Sequence, residues 1–265
     1  MHFAIVITAA ALLTTTLAAP VEPTERVSFG ANGIRQSHPH QAIDHETNDP
    51  VYSGNWAGAV QNGLPSGVAY TAVGGRITIP EITRPAHSNQ SDTLAVALWV
   101  GIDGSDHTTS ILQTGVSLYI TPSGAITYSA WYEWYPLYSY DFSKIDFHCG
   151  DEVQMNVTAY SSSSGIAIIE NLTTGQIVSK KLNSPNAQSN LKGVDAEWIV
   201  EDFSEGGSLV PLADFEAVTF TNAWFEASNG EQGSAVGAQQ YDLEQQTILT
   251  SVNIDASGEV TITYV

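Results

Sequence analysis

Three carboxylates lie in a short stretch of this chain that otherwise reads as a buried strand. Residues 196–203 carry Glu197, Glu201 and Asp202 among apolar neighbours. Side chains alternate faces along a strand, so Glu197 and Glu201 share one face and Asp202 lies on the other. Burial raises the pKa of a carboxyl group, and a partly protonated carboxyl in a cleft can do acid–base chemistry. The alternative is a solvent-exposed edge strand whose acids have no chemical role.

An amide in an apolar strand is the second candidate. Gln113 lies within residues 111–115, which are otherwise apolar or small. A buried amide must find hydrogen-bond partners or destabilise the fold, and a neutral amide offers both a donor and an acceptor to a reacting group. The alternative is a structural glutamine that ties two strands together.

A third segment, residues 131–136, packs four aromatic side chains around one acid. On a strand, Trp131, Glu133 and Tyr135 share a face. An aromatic surface with a carboxylate suits an extended peptide or a sugar chain. The same pattern is also typical of a large aromatic core, and the segment alone does not separate the two.

Other chemistry finds less support. The chain has no serine-hydrolase elbow, His-Glu-x-x-His, P-loop, zinc-spaced Cys/His set or pepsin-type motif. His148 and Cys149 are adjacent, so on a strand they point to opposite faces and do not form a dyad. Residues 103–106 form a turn with two acids that could hold calcium, but they lack the EF-hand spacing. We therefore predict neither a metal nor a cofactor.

The elements that position these residues read as strands. Runs of Val, Ile, Thr and Tyr alternate with Gly, Ser, Asn and Pro, and no segment has a sustained helical period. The pattern predicts an all-β protein, an antiparallel β-sandwich with little helix. The predicted strands are 68–79, 93–102, 110–120, 125–135, 152–160, 166–171, 176–182, 197–203, 217–226, 240–254 and 259–265. Residues 171–175 are predicted to form a hairpin turn.

The chain divides into three parts. Residues 1–19 resemble a signal peptide, with an apolar run that ends in small residues, and this predicts a secreted protein. Residues 20–50 lack apolar periodicity and are interpreted as a pro-segment or linker, and residues 51–265 as one domain. The single cysteine, Cys149, excludes an internal disulfide. Three sequons predict a glycoprotein in a eukaryotic host, at Asn89, Asn156 and Asn171.

The charge balance is strongly acidic. The chain has 28 Asp and Glu against 8 Lys and Arg, for a net charge of −20, which argues against a nucleic-acid partner. No apolar run long enough to span a membrane follows the signal segment. With every carboxylate protonated, few positive charges remain to repel one another, which suits a protein that works in acid. Solubility alone is an equally good explanation.

Six segments in order resemble the fungal glutamic peptidases, or eqolisins. They are residues 53–60 (SGNWAGAV), 99–104 (WVGIDG), 111–115 (ILQTG), 130–136 (AWYEWYP), 170–176 (ENLTTGQ) and 196–203 (AEWIVEDF). The likeness extends from about residue 53 to the C-terminus.

The resemblance implies a lectin-like sandwich of two curved antiparallel sheets and an acid-active endopeptidase with a Gln–Glu dyad. The catalytic pair matches Gln113 and Glu201, not Glu197. Six further residues are expected to line or support the site: Trp56, Trp99, Asp103, Trp131, Glu133 and Tyr135. Residues 135–144 match a loop that closes over substrate in this family.

Two departures from the family pattern leave subsite specificity open. The loop at residues 204–208 is short, where some relatives carry a longer, cysteine-bridged loop. Ser117 stands where a relative has Asp.

The implied chemistry uses water as the nucleophile. Glutamate takes the proton of the water and returns it to the leaving amine, and the glutamine amide donates to the developing oxyanion. The expected partners are protein and peptide substrates, and the protein is expected to be a monomer. The pro-segment, as an inhibitor, could cover the acidic cleft through its basic residues, which are Arg26, Arg35, His38, His40 and His45.

Two rival functions use the same residues. A carbohydrate-binding sandwich would use the face of residues 131–135 as a sugar platform. A glycosidase would use two of Glu133, Glu197 and Glu201 as an acid pair about 5–9.5 Å apart, with no role for Gln113.

Overall fold

Strands account for almost all of the regular structure. The computed structural model describes residues 26–30, 33–45 and 50–265, which contain 22 strands and one short 3₁₀-helix, Ala187–Ser189. The all-β prediction is confirmed. No helix in the described residues has the length and apolar character needed to cross a membrane. The predicted signal peptide at residues 1–19 lies outside the described residues.

In chain order the strands are β1 (Arg26–Val27), β2 (Phe29–Gly30), β3 (Gly33–Gln36), β4 (Ala42–Ile43), β5 (Val51–Ser53), β6 (Trp56–Gln61), β7 (Tyr70–Thr78), β8 (Leu94–Ile102), β9 (Ile111–Ile120), β10 (Ile126–Tyr135), β11 (Tyr140–Asp141), β12 (Glu152–Ser161), β13 (Ser164–Asn171), β14 (Gln176–Asn183), β15 (Ala196–Glu201), β16 (Ser204–Glu205), β17 (Ser208–Leu209), β18 (Ala217–Ala227), β19 (Gln232–Ser234), β20 (Gln239–Leu243), β21 (Thr250–Ile254) and β22 (Val260–Tyr264).

Ten strands form the larger sheet, in the order β1-β11-β10-β9-β8-β15-β6-β20-β5-β4. Neighbours are antiparallel except β20 and β5, which are parallel. Every residue of β8 and β15 is buried. Both faces of this sheet are therefore covered, which explains why its central strands read as continuous apolar runs rather than alternating ones.

The second sheet has eight strands, in the order β14-β13-β12-β7-β18-β22-β21, with β19 paired to β18. Its strands alternate in burial, as on β13, where Ala167 and Ile169 are buried and Ile166 and Ile168 are half-buried. One face of this sheet therefore packs on the core and the other meets solvent.

The two sheets share one apolar core. Leu98 and Val116 of the larger sheet belong to the same buried cluster as Ile77, Met155 and Phe220 of the smaller one. Packing of two sheets face to face through interdigitated side chains is the β-sandwich arrangement. The predicted sandwich is confirmed.

A second buried cluster covers the opposite face of the larger sheet. It is rich in aromatic residues, including Trp56, Trp99, Trp131, Phe203 and Tyr241. Because side chains alternate along a strand, Trp99 points to this face while Leu98 points into the core. This aromatic face also carries the candidate catalytic side chains.

The N-terminal segment adds strands that the sequence analysis did not predict. β3 pairs with β16 in a small four-stranded sheet, β17-β16-β3-β2, with Arg35 opposite Glu205 and Gln36 opposite Ser204. Strands of two to four residues carry no detectable period, and their pairing depends on contacts far apart along the chain. Residues 33–36 are therefore held against the sandwich as a strand.

The predicted strands otherwise agree with the structure to within a few residues. β6 (Trp56–Gln61) was not predicted as a strand, and neither were the short strands β5, β11, β16, β17 and β19. The segment predicted as one strand at 240–254 is two, β20 and β21. The predicted hairpin turn at residues 171–175 is present, closed by a hydrogen bond from the N–H of Gly175 to the carbonyl of Asn171.

Candidate active site

The acid-bearing strand β15 lies in the middle of the larger sheet, between β8 and β6. The alternative of an exposed edge strand is wrong, because Glu197 and Glu201 are fully buried and Asp202 is 2 % exposed. Trp198 and Val200 point into the sandwich core, and the two glutamates point to the aromatic face.

Glu201 is held by hydrogen bonds to its carboxyl group from Trp99, His38 and the Ser37 side chain. The indole N–H of Trp99 donates to Oε2 at 3.0 Å, and the backbone N–H of His38 donates to Oε1 at 3.0 Å. Burial raises the pKa of Glu201, while the positive charge of Arg35 and these hydrogen bonds oppose the rise. The carboxyl group is therefore oriented from both sides.

Gln113 also lies on the aromatic face. It is fully buried on β9, and neither atom of its amide has a hydrogen-bond partner in the described part of the chain. The alternative of a glutamine that ties two strands through its side chain is not supported. An unpaired buried amide destabilises a fold. We therefore expect Gln113 to have a functional role rather than a structural one.

Trp99 lies between the two candidate catalytic side chains. Gln113 is in register with Gly101 of β8, and Glu201 is in register with Ala97 of the same strand. Ala97, Trp99 and Gly101 alternate, so they share a face, with Trp99 in the middle. A Cβ added to Gly101 would stand 2.8 Å from Cζ3 of Trp99. Glycine at position 101 therefore leaves room for the indole.

Glu133 lies opposite Gln113 in the register of β10 and β9. It is fully buried, and its Oε2 accepts a 3.3 Å hydrogen bond from the N–H of Ser37. Burial raises the pKa of Glu133 well above its usual range; Arg35 opposes the rise and the charge of Glu201 adds to it. Glu133 is therefore protonated at acid pH.

Asp103 has a different role from the catalytic candidates. Its Oδ2 accepts hydrogen bonds from the backbone N–H groups of Lys192 and Gly193, and its Oδ1 accepts one from Val194. These bonds fix the loop that leads into β15. They also use the oxygens that a calcium ion would need, so a calcium turn at residues 103–106 is not supported.

Glu197 lies across Gly101 from Gln113: both residues are in register with Gly101, and Glu197 Oε2 and Gln113 Cβ each stand 3.3 Å from a Cβ built there. Both of its carboxyl oxygens lack a hydrogen-bond partner among the described residues. Burial raises its pKa well above the usual range, and the charges of Asp195, Asp103 and Asp106 raise it further. Glu197 and Glu201 are four residues apart on one strand, about 13 Å between Cα atoms.

Two more buried acids have raised pKa values; the sequence analysis named Asp202 among the acids of its strand but did not identify Asp195. Burial raises the pKa of Asp195 to about 7 and that of Asp202 to about 8. Asp195 is bonded through Oδ2 to the N–H groups of residues 105–107, and Asp202 accepts a 2.6 Å hydrogen bond from Gln245. In the sequence, only their position beside apolar strand residues indicated that Asp195 and Asp202 are buried.

The N-terminal segment crosses the aromatic face of the larger sheet, where it contacts Glu201 and Glu133. The carbonyl of His38 accepts hydrogen bonds from Trp56 Nε1 at 3.0 Å and from Asn55 Nδ2 at 3.2 Å. The N–H of His40 donates to the carbonyl of Gly104. The segment therefore lies in an extended path over Glu201, fixed to the sandwich through its backbone.

The structure places most of the predicted site residues around this segment. Those in contact with residues 35–38 are Trp56, Trp131, Glu133, Tyr135 and Glu201. Trp99 donates to Glu201 rather than to the segment. Gln113 lies on the same face without a hydrogen bond to the segment, and Asp103 lies to one side. Sequence analysis missed Arg35 and Ser37 as contacts of Glu133, because nothing in their spacing marks them.

The two sequence departures lie beside the same face. Ser117 is fully buried on β9, in register with Ala97, and its hydroxyl has no hydrogen-bond partner in the described residues. The short loop after Phe203 folds as the hairpin of β16 and β17, which pairs with the N-terminal segment. Both features therefore shape the walls of the cleft.

The sugar-platform alternative does not fit the exposure of the aromatic residues. Trp131, Tyr132 and Trp134 are each at most 3 % exposed. Tyr132 and Trp134 belong to the sandwich core, and the ring of Trp131 lies beneath the Arg35 guanidinium.

Comparison with known proteins was consistent with this geometry. A model of the peptidase A4 family matches residues 54–264. The chain is 41 % identical to aspergillopepsin-2 of Aspergillus niger in an alignment 293 positions long, with both chains fully covered. It is 42 % identical to scytalidopepsin B of Scytalidium lignicola over 192 residues, covering 70 % of this chain and 68 % of the relative.

Among solved structures, scytalido-glutamic peptidase with a transition state analog inhibitor superimposes with a TM-score of 0.70 and 38 % identity. The match covers 80 % of this chain and 98 % of that one.

Proposed function

The chain belongs to the peptidase A4 family and is a glutamic peptidase, and we propose that it is a secreted endopeptidase that cleaves proteins in acid through a dyad of Gln113 and Glu201. The observation that carries this proposal is the shared face. Glu201, oriented by Trp99, and Gln113, with an unpaired amide, flank the same indole.

Glu201 is the proposed base. The hydrogen bond from Trp99 holds Oε2 and leaves Oε1 directed at the position that the His38 N–H now occupies. A water in that position would pass its proton to Oε1 as it attacks the peptide carbonyl. The same carboxyl group then returns the proton to the leaving amine. Because water is the nucleophile, no covalent intermediate with the enzyme forms.

Gln113 is the proposed oxyanion donor. Its Nε2 has no competing acceptor and its Oε1 no competing donor among the described residues. The amide can therefore donate to the developing oxyanion and accept from the attacking water. An amide does not ionise, so the oxyanion donor itself does not have to be held in a chosen protonation state.

Glu133 supports this chemistry by being uncharged. In register with Gln113, an ionised Glu133 would place a second negative charge beside the developing oxyanion. Its raised pKa keeps it neutral at acid pH, where it adds no repulsion.

The pH at which Glu201 ionises depends on the N-terminal segment. Burial is the main reason that its pKa is raised, and residues 37–38 contribute part of that burial. Removal of the segment admits water, which lowers the pKa of Glu201, but it also removes the Arg35 charge and the hydrogen bonds from Ser37 and His38, which raises it.

We also propose that residues 33–41 inhibit the enzyme until they are removed. A backbone N–H sits on Glu201 Oε1, the carbonyl of His38 is turned to Asn55 and Trp56, and Arg35 is buried against Trp131. The segment thus occupies the proposed water position without offering a carbonyl to it.

One incubation tests the activity. The full-length protein is taken to acid and incubated with a denatured protein from about pH 2 to 7, and the fragments are identified by mass spectrometry. We expect internal cleavage that is greatest in acid and unaffected by chelators or serine-directed reagents. Glycan binding without any peptide cleavage at acid pH would favour the lectin alternative.

A further inference from the structure

The solvent-facing side of the smaller sheet carries an indole that lies over a neighbouring strand. Trp224 of β18 is half-buried and in register with Gly74 of β7. A Cβ built on Gly74 would stand 2.6 Å from Cε2 and 2.7 Å from Nε1 of Trp224, closer than real side-chain contacts allow. Glycine at position 74 therefore leaves the space that the indole occupies.

A β-bulge places Trp224 on this side of the sheet. The pairing of β18 with β7 shifts between Thr221 and Trp224, and Asn222, within the shift, has a φ of 47°. A bulge inserts one residue and re-aims the side chains that follow it. Ala223 and Phe225 belong to the sandwich core. Trp224, between them, therefore faces solvent.

The next strand in the same row carries a sequon. Asn156 of β12 is in register with Gly74, on the side of β7 away from β18. With Thr158 it forms the sequence Asn-Val-Thr. Asn156 and Trp224 are therefore two strand spacings apart, about 10 Å between Cα atoms. The residue between them has no side chain, and the indole already covers part of that gap.

The side chain of Asn156 is open to modification. It lies between Met155 and Val157, which both belong to the core, so its amide faces the same side as the indole. Asn156 is half-buried, and no side-chain hydrogen bond joins its amide to the described part of the chain. The buried amide of Asn171 differs, because it is bonded through both its nitrogen and its oxygen. A sugar on Asn156 would break no such bond.

Apolar side chains also lie on the other side of the sequon. Ile168 of β13 is in register with Asn156, and Ile166 lies two residues earlier on the same face. Both are half-buried. Asn156 thus lies between an indole and two isoleucines on a surface that meets solvent. A group attached at this point covers apolar surface that water otherwise contacts.

We propose that Asn156 carries an N-linked glycan whose first N-acetylglucosamine packs against Trp224 over Gly74 and stabilises the smaller sheet. The inference rests on the secretion that is part of the proposed function, because N-glycans are added to chains that enter the secretory pathway. A β-linked N-acetylglucosamine ring carries its polar groups around its rim and C–H groups on its faces. One face covers the indole while the hydroxyl groups stay in water.

The modification is a group transfer from a lipid-linked oligosaccharide diphosphate of the host. The bond from the anomeric carbon to the diphosphate oxygen breaks, a bond from that carbon to Nδ2 of Asn156 forms, and the amide nitrogen loses one proton. In the unfolded chain Trp224 and Asn156 are far apart along the sequence. The contact between sugar and indole exists only in the folded protein, so it adds to the free energy of unfolding.

Expression of the full-length chain in a eukaryotic host tests the inference. Peptide mapping by mass spectrometry should find a glycan at Asn156 of the secreted protein. Thr158→Val then removes the sequon and keeps a β-branched residue on the strand. Thermal unfolding is compared with and without this change, in the wild type and in Trp224→Leu, as a double-mutant cycle. We expect the glycan to raise the midpoint by about 2–4 °C beside the indole, and by less than half as much in Trp224→Leu.

The sequon at Asn89 is the matched control. Asn89 is exposed and lies in a loop, and Ser91→Ala removes its sequon. This change should shift the midpoint equally in the wild type and in Trp224→Leu. A second measurement needs no variant at position 224. On the native wild-type protein, an endoglycosidase should release the Asn89 glycan several times faster than the Asn156 glycan, and equally fast after denaturation.

The outcomes separate the inference from the proposed function. A secreted protein with Asn156 unmodified would overturn the inference and leave secretion intact. Equal effects of the Asn156 glycan in both backgrounds, or equal release of the two glycans from the native protein, would overturn the contact with Trp224. A protein kept inside the cell with no glycan at any sequon would overturn the proposed secretion, and the inference with it.

Discussion

The backbone N–H of His38 donates a 3.0 Å hydrogen bond to Oε1 of Glu201. The other carboxyl oxygen accepts from the indole of Trp99, so both oxygens of the proposed base are occupied. The same few residues place Ser37 on Glu133 and Arg35 on Trp131. One extended segment therefore covers the proposed base and its neighbours together.

Arg35→Ala should weaken the hold of the segment on the cleft. Loss of the stacked guanidinium removes the contacts with Trp131 and Phe203, worth about tenfold in affinity at a desolvated site. Full-length protein with this change should gain activity faster after acidification, and at a higher pH, than the wild type. Asp44→Ala, at an exposed position of the same segment, is the control. Equal activation kinetics for Arg35→Ala and wild type would argue against inhibition by this segment.

Trp99→Phe should slow catalysis without unfolding the protein. It keeps an aromatic ring but removes the N–H that orients Glu201 Oε2, and a hydrogen bond to a charged group is worth roughly a factor of 10–100. We expect kcat to fall by that amount and KM to change little. Trp198→Phe removes an equivalent indole hydrogen bond, to Gly74, on the core side of the sheet. It should lower stability and leave kcat near the wild-type value; similar kcat in both variants would contradict the role of Trp99.

The folded state should be most stable in acid. Burial raises the folded pKa of Asp195 to about 7 and of Asp202 to about 8, whereas unfolded Asp titrates near 3.9. Between about pH 4 and 8 the folded protein thus binds more protons than the unfolded one, and its stability falls as pH rises. Below about pH 4 both states are protonated and this penalty is absent.

Thermal unfolding measured from about pH 3 to 8 checks this prediction. The midpoint should be highest near pH 3–4 and fall towards pH 8. Asp202→Asn cannot ionise and should reduce the slope by up to about 1.4 kcal/mol per pH unit. A midpoint that rises from pH 4 to 7 would contradict the assignment of buried neutral acids.

The three sequons should differ in occupancy. Asn171 is fully buried, its Nδ2 donates to the carbonyl of Asp146 and to Asp151 Oδ2, and its Oδ1 accepts from two backbone N–H groups. A glycan on that amide would break these bonds. Protein from a eukaryotic host should therefore carry no glycan at Asn171, by peptide mapping and mass spectrometry, whereas Asn89 is exposed and open to modification. A folded protein glycosylated at Asn171 would refute this assignment.

The sequence predicted the sandwich and the strand that carries Glu201, because long strands of β-branched and aromatic residues separated by turn residues are a strong local signal. It also predicted that Glu197 and Glu201 share a face, since alternation follows from strand geometry. Whether that strand was central or at an edge depended on its neighbours β8 and β6, which no local pattern specifies.

The cover over the site could not be predicted in the same way. β3 has four residues and no apolar period, and apart from its pairing with β2 it contacts residues 96 to 170 positions away along the chain. Arg35 was recognised only as one of several basic residues. Its burial between Trp131 and Phe203 depends on three segments that meet only in the folded protein.

The most direct test of the account compares turnover by Gln113→Ala and Glu201→Gln with the wild type. Each protein carries an engineered cleavage site between residues 45 and 50, so that an unrelated protease removes the segment in all of them. Gln154→Ala and Glu170→Gln, on the other sheet, are the matched controls, and circular dichroism reports the fold. On a denatured protein at about pH 3, we expect kcat to fall by about 10²–10³ for Gln113→Ala and by at least about 10² for Glu201→Gln, with the controls near wild type. Wild-type turnover by either dyad variant would contradict the Gln–Glu mechanism.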